Sequence, residues 1–251
     1  MTPRKRLDLT VYAPALGVND GRTLAVVRGM EQTLPGLQLK WEVGKGGRLI
    51  ELPQRDAWLV EATTRGKLPL LCNGDEGYPV TVSGRGRSGR LGPGGQSLLD
   101  IQAELPLDAA VVAAAGELLE RVAEGACSFW GHATPDDAAL DIAYQSAPSP
   151  QGPPAPRRGL PALKTLERIR APEIPYFLGW LNYWSAASSR TLGFPDPARD
   201  AELLSRARHT ATGGWVVGLT DAPLDLDNPA HLDALQRAYE RFPEIGGRST
   251  S

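Results

Sequence analysis

Residues 98–126 read LLDIQAELPLDAAVVAAAGELLERVAEGA. The first ten residues form a predicted strand that ends at Pro106-Leu107. Asp108 follows as an N-cap, because its carboxylate can accept from the free N–H groups of a first helical turn. The helix it opens carries one apolar stripe through Val111 or Val112, Ala115, Leu118 or Leu119, Val122 and Ala126. A strand running directly into an amphipathic helix belongs to a sheet packed with helices. The 28 glycines and 22 prolines cut the rest of the chain into short elements, which favours an α+β fold over a long helical bundle.

Upstream, LDLTVYAP (residues 7–14) sets Leu7, Leu9 and Val11 against Asp8, Thr10 and Tyr12, and this period of two predicts a strand. Asp20 is read as the cap of a helix over GRTLAVVRGMEQTLPG, with Leu24, Val27, Met30 or Glu31, and Leu34 on one face and Pro35-Gly36 as the stop. LQLKWEV alternates again through Leu37, Leu39, Trp41 and Val43. RLIEL is its hairpin partner across Gly44–Gly47. The chain therefore opens β-α-β-β. Residues 53–64 read as a short helix. LPLLC and YPVTVS are short strands around the turn NGDEG, and residues 84–96 form a Gly/Arg loop.

Downstream, SAPSPQGPPAPRRGLP (residues 146–161) has the composition of an extended linker or surface loop. It divides an N-terminal α+β part (1–145) from a helix-rich C-terminal part (162–251), and it leaves open whether the two share one core. In the second part, IPYFLGWLNYWSAASSRTLG reads as a helix that places Phe177, Leu181 and Trp184 one turn apart and ends at Gly193. Asp196-Pro197 opens another helix. HTATGGWVVGLTD is a hairpin with Trp215 and Val217 on one face. Asn228-Pro229 starts a last helix that buries Leu232, Leu235, Tyr239 and Phe242. The expected fold is mostly antiparallel sheet packed with helices.

The bulk numbers exclude several function classes. The net charge is −2, so no basic excess calls for nucleic acid. No stretch of about 18 apolar residues exists to span a membrane. The start MTPRKRLDLTVY is broken by Asp8 and Thr10 and is not a signal peptide. By elimination the expected location is cytoplasmic. The two cysteines, Cys72 and Cys127, sit beside apolar residues and read as buried free thiols rather than a disulfide framework.

Candidate chemistry is sparse. Gly84-x-Gly86-x-x-Gly89 matches a dinucleotide fingerprint only formally, since RLGPGGQ cannot supply the helix whose N-terminus holds a pyrophosphate. Arg85, Arg87 and Arg90 on that loop could instead meet an acidic partner. Cys72 near Asp75 and Glu76, with remote His132, is the one candidate for a hydrolytic thiol, and its acidic neighbours oppose activation. The histidines His132, His209 and His231 form no metal motif, and no CxxC exists, so neither metal nor cofactor is expected. Core packing accounts for each of the six tryptophans. If one face is exposed, Trp180, Tyr183 and Trp184 would instead make a protein-binding anchor. TDAPLDLDNP concentrates Asp221, Asp225 and Asp227 in one loop, which is either turn chemistry or an acidic patch for a basic surface. The profile is that of a binding protein with no catalytic site. A small-molecule hydrolase using Cys72 and His132, and a non-catalytic scaffold or regulatory module, stand as alternatives.

GWLNYWSAASSRTLGFPD, followed after about twenty residues by GGWVVGLTDAPLDLDNPAHLDALQRAYERFPEI, resembles the end of the immunity proteins of type VI and polymorphic toxin systems. The matching positions are Gly179, Trp180, Leu181, Leu192, Gly193, Gly214, Pro223, Asp227, Asn228 and Tyr239. ELPLDAAVVAAAGELLERVAEGACSFWGHA resembles their strand-Leu-Pro-helix segment, and the immunity protein 52 group is the nearest in pattern. The likeness spans roughly residues 97–245. The group's usual Gly-Asp-Val/Leu-Asn run is replaced here by LDLDN, and the Pro-rich insert is atypical. The resemblance implies a binder that neutralises a cognate toxin, often a nuclease, encoded by a neighbouring gene. A nuclease site is basic or metal-bearing because it holds phosphates, so the Asp221–Asp227 loop is the expected contact.

Overall fold

The alternation at the start of the chain becomes a central strand of a single sheet. A computed structural model describes residues 5–18, 20–62, 66–146 and 157–248. Its strands are β1 (Arg6–Pro14), β2 (Trp41–Val43), β3 (Leu49–Glu51), β4 (Leu68–Cys72), β5 (Thr81–Arg87), β6 (Leu98–Pro106), β7 (Trp130–Pro135), β8 (Leu181–Trp184), β9 (Ala207–His209) and β10 (Trp215–Gly218). Its helices are α1 (Arg22–Thr33), α2 (Arg55–Ala62), α3 (Ala109–Gly125), α4 (Asp136–Ala143), α5 (Ala186–Leu192), α6 (Ala201–Ser205) and α7 (Pro229–Arg241). The ten strands run in the order β3-β2-β4-β5-β6-β1-β7-β8-β10-β9, and every pairing is antiparallel. This is an α+β fold, and its opening is β-α-β-β.

Register gives the sheet two unlike faces. Leu9 lies opposite Ala103 on β6 and Ala133 on β7, and Leu7 lies opposite Leu105. These side chains, with Val11 and Ile101, are wholly buried. α3 covers them and α1 packs on α3. Each such leucine contributes about 2 kcal/mol through apolar burial. The two helices touch closely because Gly125 has no side chain: a Cβ there would stand 3.1 Å from the Ala25 carbonyl carbon. Asp108 caps α3 as expected, with Oδ1 accepting from Val111 N at 2.9 Å.

The second face bears Asp8, Thr10 and Tyr12 of β1, Gln102 and Glu104 of β6, and His132 and Thr134 of β7. Its C-terminal end is closed by aromatics. Tyr12 stacks on Trp130 at 4.2 Å, and Trp184 meets Phe194 and Phe242 edge-on, each at 5.1 Å. α7 delivers Phe242, and Asn228 caps that helix with Pro229 in its first turn.

The sheet crosses the Pro-rich segment. β8, from the C-terminal part, pairs with β7 from the N-terminal part, with His132 opposite Asn182 and Trp130 opposite Trp184. Residues 147–156, most of the expected linker, lie outside the described residues.

Several expectations are corrected. The helix expected over residues 174–193 is divided. Leu181–Trp184 is β8, and only Ala186–Leu192 is helical, started by Ser185, whose hydroxyl accepts from Ser188 N. Trp180, Asn182, Tyr183 and Trp184 are all buried, as on a strand covered on both sides, which erases any alternation. The loop expected from residue 84 begins at Ser88, because β5 continues to Arg87. Asp20 is not the N-cap of α1. Gly21 is, and the Asp20 carboxylate accepts from Arg22 N at 3.1 Å and from the Arg22 guanidinium at 2.6 Å. The helix expected from Asp196-Pro197 starts only at Ala201, after Asp200. Cys127 is exposed, in the left-handed region at φ 53° just past α3; Cys72 alone is buried.

Candidate binding face

The polar face of β5, β6 and β1 is open to solvent. Gln102 and Glu104 are exposed, while Thr81, Ser83, Asp8 and Thr10 are half-buried. Towards β7 the face dips under α4 and Phe177, leaving a cavity of about 320 Å³ lined by Asp8, Thr10, His132, Thr134, Leu140 and Phe177 among others. Thr10 lies opposite His132, and Asp8 lies opposite Thr134. His132 is 4% exposed; its Nδ1 lies 3.2 Å from Thr134 Oγ1, and its ring meets Phe177 edge-on at 4.6 Å. Burial holds the imidazole neutral, with its pKa down at about 3. Gly179 lets the chain pass over this pair: a Cβ there would stand 2.2 Å from Thr134 Oγ1 and 2.9 Å from His132 Cβ. Asn182 holds Gly179 in place, accepting from Gly179 N at 2.9 Å and donating to Gly179 O at 3.0 Å.

Charge gathers at the same corner. Burial, then Glu104 and Asp136, push the Asp8 carboxyl up to about 6, against the pull of Arg6. Arg6 Nη1 is bound to Glu104 at 2.8 Å, and Lys5 Nζ to Asp137 at 2.7 Å. Lys5 also feels Asp225, which brings the acidic loop to the start of β1. Arg158 ties that loop to α4, reaching Asp141 at 2.5 Å, Asp227 at 2.8 Å and the Leu226 carbonyl at 2.9 Å. Asp136 and Asp137 sit in the first turn of α4, where the helix dipole favours negative charge. Among the described residues seven carboxylates (Asp8, Glu104, Asp136, Asp137, Asp141, Asp225, Asp227) thus face four cations (Lys5, Arg6, Arg157, Arg158), and the described part of the corner is net acidic.

The residues singled out from sequence separate into three groups. Asp221, Asp225 and Asp227 are exposed in the loop. Asp225 and His231 shape that loop, since Asp225 Oδ1 accepts from Asp227 N at 2.9 Å and His231 Nδ1 from Asp225 N at 3.1 Å. Arg85 and Arg87 lie at the other end of β1 and converge on Asp100, which is 1% exposed, at 3.5 and 2.6 Å. Arg87 is therefore the partner of a buried charge, while Arg85 and Arg90 are exposed. Trp180, Tyr183 and Trp184 are 3%, 2% and 1% exposed, and they belong to the core instead of forming a surface anchor. Trp180 Nε1 donates to Thr220 O at 3.0 Å.

Cys72 and His132 do not meet. They stand on β4 and β7, four strands apart in the sheet order, about 19 Å at the usual strand spacing. Among the described residues no group of three or more His, Cys, Asp or Glu side chains could hold a metal ion. Among the described residues, too, no helix is long and apolar enough to cross a membrane.

A family model described as a domain of unknown function, DUF5953, matches residues 18–250. The chain belongs to that family. This DUF5953 chain is also similar in fold to Pseudomonas aeruginosa T6SS protein PA0821, with a TM-score of 0.54 and 16% identity over 95% of this chain and 73% of that one. No curated protein matches it. The groups of this DUF5953 face that sequence reading missed are Asp8, Thr10, Glu104, Thr134 and Asp136; His132 was singled out, but as a partner for Cys72 rather than for this face. The alternation of LDLTVYAP already turns Asp8 and Thr10 away from the core. What it lacks is the register that sets them against β7.

Proposed function

We propose that this protein is an immunity protein of a type VI secretion system that binds a cognate antibacterial toxin in the cytoplasm and neutralises it by protein–protein contact, with no catalysis of its own. The observation that carries the proposal is the net-acidic corner where β1, α4 and the Asp221–Asp227 loop meet. A toxin that cleaves nucleic acid presents a basic surface to phosphates, and an acidic face is complementary to it. The resemblance of the C-terminal motifs to the immunity protein 52 group supports the same reading. So does the likeness in fold to the T6SS protein PA0821. The test is co-expression with the product of an adjacent toxin gene. The expected result is a 1:1 complex and rescued growth. If growth is not rescued and no complex co-purifies with any neighbouring toxin, the proposal fails.

A further inference from the structure

The cavity between β1, β7 and α4 contains two polar groups that its own residues leave unanswered. His132 Nε2 is buried and has no hydrogen-bond partner among the described residues. Buried ring nitrogens are seldom left this way, and each such case calls for a ligand or another specific cause. Among the described residues the Asp8 carboxylate lines the same cavity without a hydrogen-bonded cation, and the nearby Arg6 guanidinium is engaged by Glu104 at 2.8 Å. The rest of the lining is apolar where Leu140 and Phe177 contribute, and Leu140 is 57% exposed at the rim. An anionic end with hydroxyls and an aliphatic wall together suit a cation on an alkyl stem.

The geometry points to the side chain of a lysine from the partner protein as the occupant, its stem along Leu140 and Phe177 and its ammonium received by Asp8, Thr10 and His132 Nε2. This rests on the reading of the acidic corner as a protein-binding surface. The acceptors lie on adjacent strands, with Thr10 opposite His132 and Asp8 opposite Thr134, and line one cavity. An ammonium with three rotatable donors fits such a set better than a planar guanidinium fork. When Nδ1 donates to Thr134 Oγ1, Nε2 presents a lone pair, and a neutral imidazole adds no competing charge.

The test uses the full chain, isotope-labelled, and needs no toxin. Titration with n-butylammonium chloride is expected to shift the Asp8 and His132 side-chain resonances saturably, in about the millimolar range for so small a ligand. The Asp8 titration midpoint should fall by about one unit, a roughly tenfold preference for the ionised form. n-Butanol should produce neither effect, and Asp8→Asn should abolish both while the chain stays folded. Among capped amino acids, Nα-acetyl-lysine methylamide should bind, and the norleucine analogue should not. The inference is overturned by the absence of a saturable shift, by an equal response to butanol, or by tighter binding of the arginine analogue. Growth rescue with no ammonium binding removes the lysine pocket and leaves the immunity reading. Ammonium binding with no toxin neutralised leaves a cation pocket and removes the immunity reading, and with it the partner's lysine.

Discussion

Asp8 is a carboxylate that the fold holds at a disadvantage. Its neighbours are Arg6 on its own strand, Glu104 on β6, the neutral His132 on β7 and Asp136 on α4, and burial with the two acids outweighs Arg6. In the unfolded chain Asp8 loses its proton near 3.8, but in the native state only near 6. The native state therefore binds the extra proton between those values. Ionising Asp8 costs stability as pH rises through that window, and the cost is full above 6. Asp8→Asn removes it. The variant should gain about 1 kcal/mol at pH 7.5, less than the full linkage value because the group is partly solvated, and gain nothing below about pH 4. Urea midpoints at the two pH values check this. An equal effect at both would mean that the charge of Asp8 is not what the substitution relieves.

At the scale of elements, Asp108 shows how a local signal becomes a measurable contribution. Its carboxylate accepts from Val111 N, which holds its pKa below the ordinary value. Asp108→Ala should cost about 1 kcal/mol at neutral pH. The carboxylate's share is present above the ordinary carboxylate pKa and is lost as pH falls through the depressed native one. A chemical denaturation curve unchanged by the substitution would show that α3 does not depend on its cap. Elements of this kind were legible: β1 through its alternation, α3 through its cap and stripe, and α7 through Asn228-Pro229. β8 was not. Phe177, Leu181 and Trp184 fall at helical spacing, yet Asn182, Tyr183 and Trp184 are buried on both sides of a strand, where periodicity carries no information. The Ser185 cap marked the true helix start four residues after β8 begins. The candidate site was half legible for a related reason. Its acidic loop is contiguous in sequence. The Asp8–His132–Thr134 group exists only through the pairing of β1 with β7, which no local pattern encodes.

At the scale of the molecule, Tyr239 connects what the Pro-rich segment separates in sequence. Its hydroxyl donates to Gln145 Oε1 at 2.9 Å and accepts from Leu178 N at 3.1 Å. Gln145, just past α4, also donates to Pro161 O at 3.0 Å and accepts from Leu163 N at 2.8 Å through its carbonyl. One phenol on α7 thus fastens the end of α4, the irregular segment that follows residue 160 and the approach to β8. Tyr239→Phe keeps the ring and leaves two buried polar groups unanswered, so it should cost about 2 kcal/mol. For a chain of this length that is a fall of about 6 °C in Tm. Because β7 pairs with β8, the loss should appear in one transition, with tryptophan fluorescence and far-ultraviolet dichroism moving together. Two separated transitions, of which the substitution moves only one, would show that the sheet does not couple the N-terminal and C-terminal parts, and that the acidic corner, built from both, is not held by a single folding unit.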